Sequence, residues 1–408
     1  MAVQTGVNKK LSFIKETTWN TAPANSTSAK YLRRVTSDLD VAKDTYSSNE
    51  IRTDFQIADL RHGMVKVEGG IKGELSPGAY FQFIGAGLRG ASGTFGFTAL
   101  PTMAMAAMTM GATGQVQTLT CGTSPITAGF KAGMVMRMSA GSGAGFTTAN
   151  LFIVGVTSGA FSVIGWPTYI ATGVATSCTL TAVGAYSRTP ETGHQNLSFT
   201  VEHYFTDLTK SESFTGCRVA NFALSIPATG IATADIGFMG ANYITGAAQV
   251  YTSSTVASTG GLLTGVNGVI VCGGSVVASI TQMSINYDGG MTTGAVLGSN
   301  FTPDVFAGRV KVTGQMTAYF DGVTLRDYFL QETKFAILGV MYADQTTTSD
   351  FISFAMYNCK ATGASKSDGE QGLTLTIPFQ ALLNTTPASD TTDQTLRTTL
   401  MIQDSLAA

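Results

Sequence analysis

The side chains best suited to metal binding, nucleophilic attack or proton relay are few here. There are three histidines and five cysteines in 408 residues. His62, His194 and His203 stand apart, and none has a Cys, Asp or Glu at a recognisable zinc-site interval. His203 sits in "VEHYF", which reads as a strand. The cysteines, Cys121, Cys178, Cys217, Cys272 and Cys359, are odd in number and form no CxxC, so the sequence predicts reduced, buried thiols rather than a disulfide framework. Cys121 and Cys178 fall within one predicted small domain. Cys217, in "FTGCRV", lacks the His or Asn context of a nucleophile. The chain has no GxxxxGK[ST], HExxH or GxSxG. Gly85–Gly90, "GAGLRG", matches G-x-G-x-x-G, but in or after a predicted helix instead of between strand and helix. The expectation is a protein without catalytic, metal or cofactor-binding residues, and not an enzyme.

Composition bounds the size and surface of the protein. The length suits two or three domains. Charged residues make up 12% and apolar residues 44%, with 47 glycines and a net charge of -2. That gives no basic footprint for nucleic acid. No Asp, Glu, Lys or Arg occurs between Gly90 and Phe130, or between Ile236 and Tyr287. Such uncharged stretches suggest surface covered in an assembly. Gly261–Ile280 also lacks charge, but Gly and polar residues interrupt it. It reads as short strands and not as a membrane helix. The first residues lack the apolar core of a signal peptide, so the expectation is a protein made and used without secretion.

A duplication organises the chain. "VKVEGGIKGELSPGAYFQFI" from Val65 is answered by "VKVTGQMTAYFDGVTLRDYF" from Val310, with Gly69 over Gly314. Upstream, Leu39–Asp44 faces Met283–Asp288. Downstream, Phe214–Ile226 faces Met356–Asp368, Cys217 over Cys359, and Gly230 then falls over Gly372. The interval Gly69–Cys217 is far longer than Gly314–Cys359, so the first copy carries an insert roughly between Gly90 and Gln195.

Each copy reads as strand, long polar loop, strand, helix and further strands. The first helix has Ser76 as N-cap, Pro77 at its first position, an apolar face of Tyr80, Phe83, Ile84 and Leu88, and Gly90 as its end. In the second, Asp321 is the cap and Leu325, Tyr328 and Phe329 the face. The insert reads as five short strands, a small barrel or sandwich. The domain expectation is a first repeat from 1–90 and 196–245, an inserted β-domain at 91–195, a connector at 246–274 and a second repeat at 275–408. The fold class is mainly β, with two tandem sandwich or half-barrel repeats.

The first copy resembles the tail tube proteins of long-tailed bacteriophages. The resemblance rests on "KETTWNTAPA" (Lys15–Ala24), Leu32–Gly90, "LSFTVEHYF" and Phe214–Gly240, about a third of the chain. It implies a β-sandwich or half-barrel per repeat, and subunits in rings stacked around a channel. DNA and the tape measure protein would occupy that channel non-specifically, and tail terminator and tail tip proteins would meet the tube ends. It also implies a virion component, assembled in the host cytoplasm without membrane insertion. The loop from Asp44 to His62 would reach a neighbouring ring or subunit through Asp44, Glu50, Arg52, Asp54, Asp59, Arg61 and His62, complementary charge fixing register. Two units per chain suggest a trimeric, pseudo-six-fold ring; a hexameric ring is the alternative. A lumen poor in Lys and Arg would let DNA leave without gripping its phosphates. The insert, present once per chain, is expected on the outside as decoration or brace. An alternative function is a β-rich adhesin or carbohydrate-binding virion protein, for which Trp166 and Tyr169 in "GWPTY" would supply the aromatic surface.

Overall fold

The computed structural model describes residues 3–90, 93, 95–111, 115–139, 141–142, 148–168, 173–368, 372–387 and 393–407. The chain is mainly β. Its first part supplies β1 (Lys9–Lys15), β2 (Asp40–Ser47), β3 (Leu60–Glu74) and helix α1 (Phe81–Leu88). Six strands follow: β4 (Thr102–Met110), β5 (Gln117–Cys121), β6 (Val135–Ser139), β7 (Asn150–Val156), β8 (Ala160–Trp166) and β9 (Gly173–Ala182). They close a barrel in the order β7-β8-β5-β4-β9-β6. The chain returns as β10 (Phe199–Phe205), β11 (Lys210–Pro227) and β12 (Thr233–Gly240). It continues through β13 (Gly268–Cys272), β14 (Ile280–Asp288), β15 (Lys311–Tyr319), α2 (Thr324–Leu330), β16 (Phe335–Tyr342), β17 (Phe351–Ala361), β18 (Ser365–Lys366), β19 (Thr374–Ala381) and β20 (Met401–Asp404). No helix among the described residues is long and apolar enough to cross a membrane.

Alternation dictates the strands. β12 and β19 bury every second residue, placing Ala234, Ile236 and Phe238 of the first unit and Leu375, Ile377 and Phe379 of the second in one continuous core.

The hydrogen-bonded ladders repeat. The first unit runs β2-β3-β12-β11-β10-β1, and the second runs β14-β15-β19-β17-β16-β13, all antiparallel. A bulge is repeated too: register shifts between Phe199 and Val201 against β11, and between Phe335 and Ile337 against β17. The segment expected as connector contributes β13, which holds in the second unit the place of β1. Each is preceded by a short 3-10 turn of the same sequence, Gly6-Val7-Asn8 and Gly265-Val266-Asn267.

The ladders also correct two alignments. Gly69 pairs with Phe238 and Gly314 with Phe379, so Phe238 corresponds to Phe379, one residue off the Gly230–Gly372 match. Val67 pairs with Val41 and Val312 with Tyr287, so Leu39 corresponds to Ile285, a shift of two that keeps the same face. A slip of one would have turned the core residues outward.

The helices differ from expectation. Ser76 does not cap α1; Gly78 has φ +75°, which a starting helix cannot use, and its N–H is held by the Asp404 carboxylate at 2.8 Å. All eight residues of α1 are buried, not one face, because Phe95 and Phe97 pack edge-to-face on Phe81 on the side away from β11. The helix ends on Arg89 in the left-handed region (φ 55°), not on Gly90. α2 starts after Val323 rather than Asp321; Leu325 is buried and Tyr328 stacks on Phe335 at 4.5 Å, but Phe329 is 38% exposed.

The barrel is bound into the body. Its core is continuous with Leu338, Val340, Tyr342, Phe351, Ala355 and Met401 of the second unit. Buried Gln403 accepts from the Val135 N–H at 2.8 Å and donates to the Val135 carbonyl at 3.0 Å and the Val183 carbonyl at 2.8 Å. The sequence reading missed β4, whose small and Met residues show little β-propensity.

Candidate functional site

The seven residues expected to make contacts come together on one hairpin. β2 and β3 pair further than the sequence suggested, through Tyr46–Arg61 and Ser47–Leu60, so Asp44, Arg61 and His62 are strand residues and the loop proper is 48–59. Asp44 takes the Lys66 ammonium at 2.9 Å across the hairpin, which raises the Lys66 pKa. Arg52 binds Asp54 at 2.9 Å and holds that carboxyl below its usual range; Arg61 binds Asp59 at 2.7 Å. The Glu50 N–H donates to Ser48 Oγ, and His62 lies opposite Thr45. Solvent screens such exposed pairs, so they contribute little to folding.

The apolar residues between the charges are more informative. Ile51 is completely exposed and Phe55 is 97% exposed, with Tyr46, Ile57 and Leu60 also largely in water. Large apolar side chains grouped in solvent are the kind of patch that marks interaction surfaces.

The corresponding segment of the second unit is packed against a neighbouring unit. That segment, residues 289–310, lies across the first unit. Val65 donates its N–H to the Asn300 carbonyl at 2.8 Å, and Asp304 binds Arg218 at 2.8 Å. Arg218 also donates to the Val305 carbonyl, and Arg89 to that of Gly308. Burial lowers the Arg218 pKa and Asp304 opposes that. Met291 and Val305 are buried against Ala220.

The two units are also joined through backbone. β11 residues 221–227 pair antiparallel with β14 residues 282–288, Phe222 opposite Tyr287 and Leu224 opposite Ile285. One sheet therefore runs through both units.

The cysteines and His203 are buried, whereas His62 and His194 are exposed. All five cysteines are free and buried, and desolvation pushes the thiols of Cys121 and Cys272 up to about 12. His203 contacts Ser37 Oγ at 3.0 Å; burial, with Lys9 and Arg34 nearby, lowers its pKa to about 3 and keeps it neutral. No group of three His, Cys, Asp or Glu among the described residues could hold a metal ion. Trp166 is engaged: its ring stacks on Tyr342 at 4.4 Å and its N–H donates to the Asp344 carbonyl. Tyr169 lies outside the described residues.

No curated protein matches the chain. A family model described as phage tail tube protein matches residues 6–381. With a match that takes in both units, the barrel and the arm, the chain belongs to the phage tail tube protein family.

Proposed function

We propose that this chain is the repeating subunit of a tail tube, assembling into rings that stack around a channel for DNA. Membership of the family makes it a structural component of a phage tail, a role that calls for no catalysis. The observation that carries the finer reading is the β11–β14 ladder: one unit continues the sheet of the next without a break. Repeated from chain to chain, that relation closes a ring with no free edge. Two units per chain make three chains the natural complement of a six-unit ring. The alternative is a six-chain ring in which the two units act as one fold per subunit.

The hairpin arm, with Asp44, Glu50, Arg52, Asp54, Asp59, Arg61 and His62 around Ile51 and Phe55, would lie across an adjacent subunit as 289–310 lies across the first unit. The barrel, docked on the second unit, occurs once per chain and belongs on the outer wall. The two units, the first at 1–90 with 196–245 and the second at 275–408 with β13 added, would line the channel, where the tape measure protein and DNA pass without specific recognition. Terminator and tip proteins would meet the exposed ring faces.

Negative-stain electron microscopy of the concentrated protein, with rotational analysis of end-on views, tests this. Stacked rings with three outer knobs on six lobes support the trimer, and six knobs replace it with a hexamer. Single particles under every salt and concentration, with or without a tail-tip initiator, would overturn the tube reading.

A further inference from the structure

The internal junction is a template for a junction that the chain cannot make alone. Each of its two strands has a counterpart in the other unit, and both counterparts lack a strand partner on one side among the described residues. The counterpart of β14 residues 282–288 is the edge 36–42, since Val67 pairs with Val41 as Val312 pairs with Tyr287. The counterpart of β11 residues 221–227 begins just beyond β17. Cys359 faces Phe335 as Cys217 faces Phe199, which sets Ala364 in the place of Phe222 and Lys366 in the place of Leu224. There β18 pairs with β19 alone.

We propose that residues 36–42 of one copy form an antiparallel ladder with residues 363–368 of the next, Val41 opposite Ala364 and Leu39 opposite Lys366. This rests on the tube reading and gives it a seam. The partner is a second copy of this chain, and the contact is head-to-tail, the kind that yields a ring when its rotation closes.

The backbone of the open edge is set for it. The Asp38 N–H donates inward to the Gly70 carbonyl at 3.1 Å, so by antiparallel alternation the amides of Leu39 and Val41 face outward. Among the described residues the Val41 N–H has no ladder acceptor; it donates to its neighbour's side chain, Asp40 Oδ1, at 2.7 Å. The same placement sets the hairpin arm of one copy over Lys360 of the next, as Asp304 lies over Arg218. The ammonium of Lys360, the residue after Cys359, pairs with the exposed Glu332 at 3.4 Å. The intermolecular pair Val41–Ala364 is small where the internal pair is Phe222–Tyr287, so the seam between chains is the weaker of the two and forms after folding.

Cysteine cross-linking of the full chain tests register and partner together. Directly opposed strand residues lie ~5.5 Å apart at Cα, within disulfide reach. The native thiols are buried and stay silent. Tubes of Val41→Cys with Ala364→Cys should convert on mild oxidation into covalent multimers ending at the closed ring. Lys43→Cys with Ala364→Cys, on the same face but two residues out of register, should stay monomeric on a non-reducing gel. Tubes that form while the first pair stays monomeric, or the second pair linking in its place, overturn the seam and leave the tube reading standing. Unmutated protein that never forms rings overturns both. Hydrogen exchange on the unmutated protein is the check independent of variants: the Leu39 and Val41 amides should slow at least tenfold on assembly, and unchanged exchange in tubes overturns the proposal.

Discussion

Phe222 and Tyr287 lie face to face, 4.7 Å between ring centroids and 5° between planes, one on each unit of the duplicated sheet. Both are 1% exposed. Phe222→Ala should cost about 3–5 kcal/mol, as large-to-small core changes do. A double-mutant cycle with Tyr287→Ala should return a coupling of about 0.5–1.5 kcal/mol. Denaturant unfolding monitored by circular dichroism measures both, and additive single effects would show that the stack does not join the units.

Glu16 should be the most sensitive polar residue of the first unit. Its buried carboxylate accepts from Ser198 Oγ at 2.6 Å, Thr200 Oγ1 at 2.8 Å, the Gly216 N–H at 2.8 Å and the Asn20 N–H at 2.9 Å. Glu16→Ala leaves buried donors without an acceptor, so a loss of about 2–4 kcal/mol is expected, with Glu16→Gln milder. Thermal unfolding at fixed pH gives the comparison.

Asp404 gives stability a pH dependence. It is buried, and desolvation raises its pKa to about 7 from 3.8, against the pull of the N–H groups of Gly78, Leu406 and Ala407 and with Asp350 adding to the rise. The folded state therefore holds a proton between these values that the unfolded state releases. The contribution is full below about pH 4, declines as pH rises and is gone above about pH 7. Melting temperature should fall across that window in the unmutated protein, and the fall should flatten in Asp404→Asn.

The arm should matter to assembly and not to folding. Ile51→Ser with Phe55→Ser removes exposed apolar groups, so unfolding should shift by less than about 0.5 kcal/mol. Tube yield by sedimentation or microscopy should drop at least tenfold. Normal tubes from this variant would remove the arm from the contact.

Gly133 fixes the barrel to the body. It has φ +88°, and an added Cβ would stand 2.5 Å from that of Ala355 on β17. Gly133→Ala should cost about 1–3 kcal/mol and loosen the barrel first, seen as earlier proteolysis between β3 and β10.

The duplication was legible because its second block carries a glycine under a pairing strand: Gly314 lies beneath the Phe379 ring, which any Cβ would strike. Alternation gave β12 and β19. What misled were glycines in turns. Gly230 and Gly372 invited alignment, but a turn carries no face information, and the ladder moved that match by one. The helix start was misread because the groups that decide it, Gly78 and Asp404, are remote in sequence and meet only in the fold. The tetrapeptide Thr5-Gly6-Val7-Asn8, repeated at Thr264-Gly265-Val266-Asn267, was readable and would have extended the second unit to β13. The arm's charges were legible, but its exposed Ile51 and Phe55 needed coordinates, because an apolar residue in a polar loop looks the same whether tucked in or standing in water.

Joining two units through β11 and β14 changes the kinetics of any ring built from them. Half the boundaries between units are already made when each chain finishes folding, and they do not respond to dilution. Only the remaining half obey mass action, so fewer bodies must meet for closure, and the concentration threshold for nucleating a ring depends less steeply on subunit supply than in a ring of single units. The duplicated chain is suited to begin a tube while its own abundance is still low.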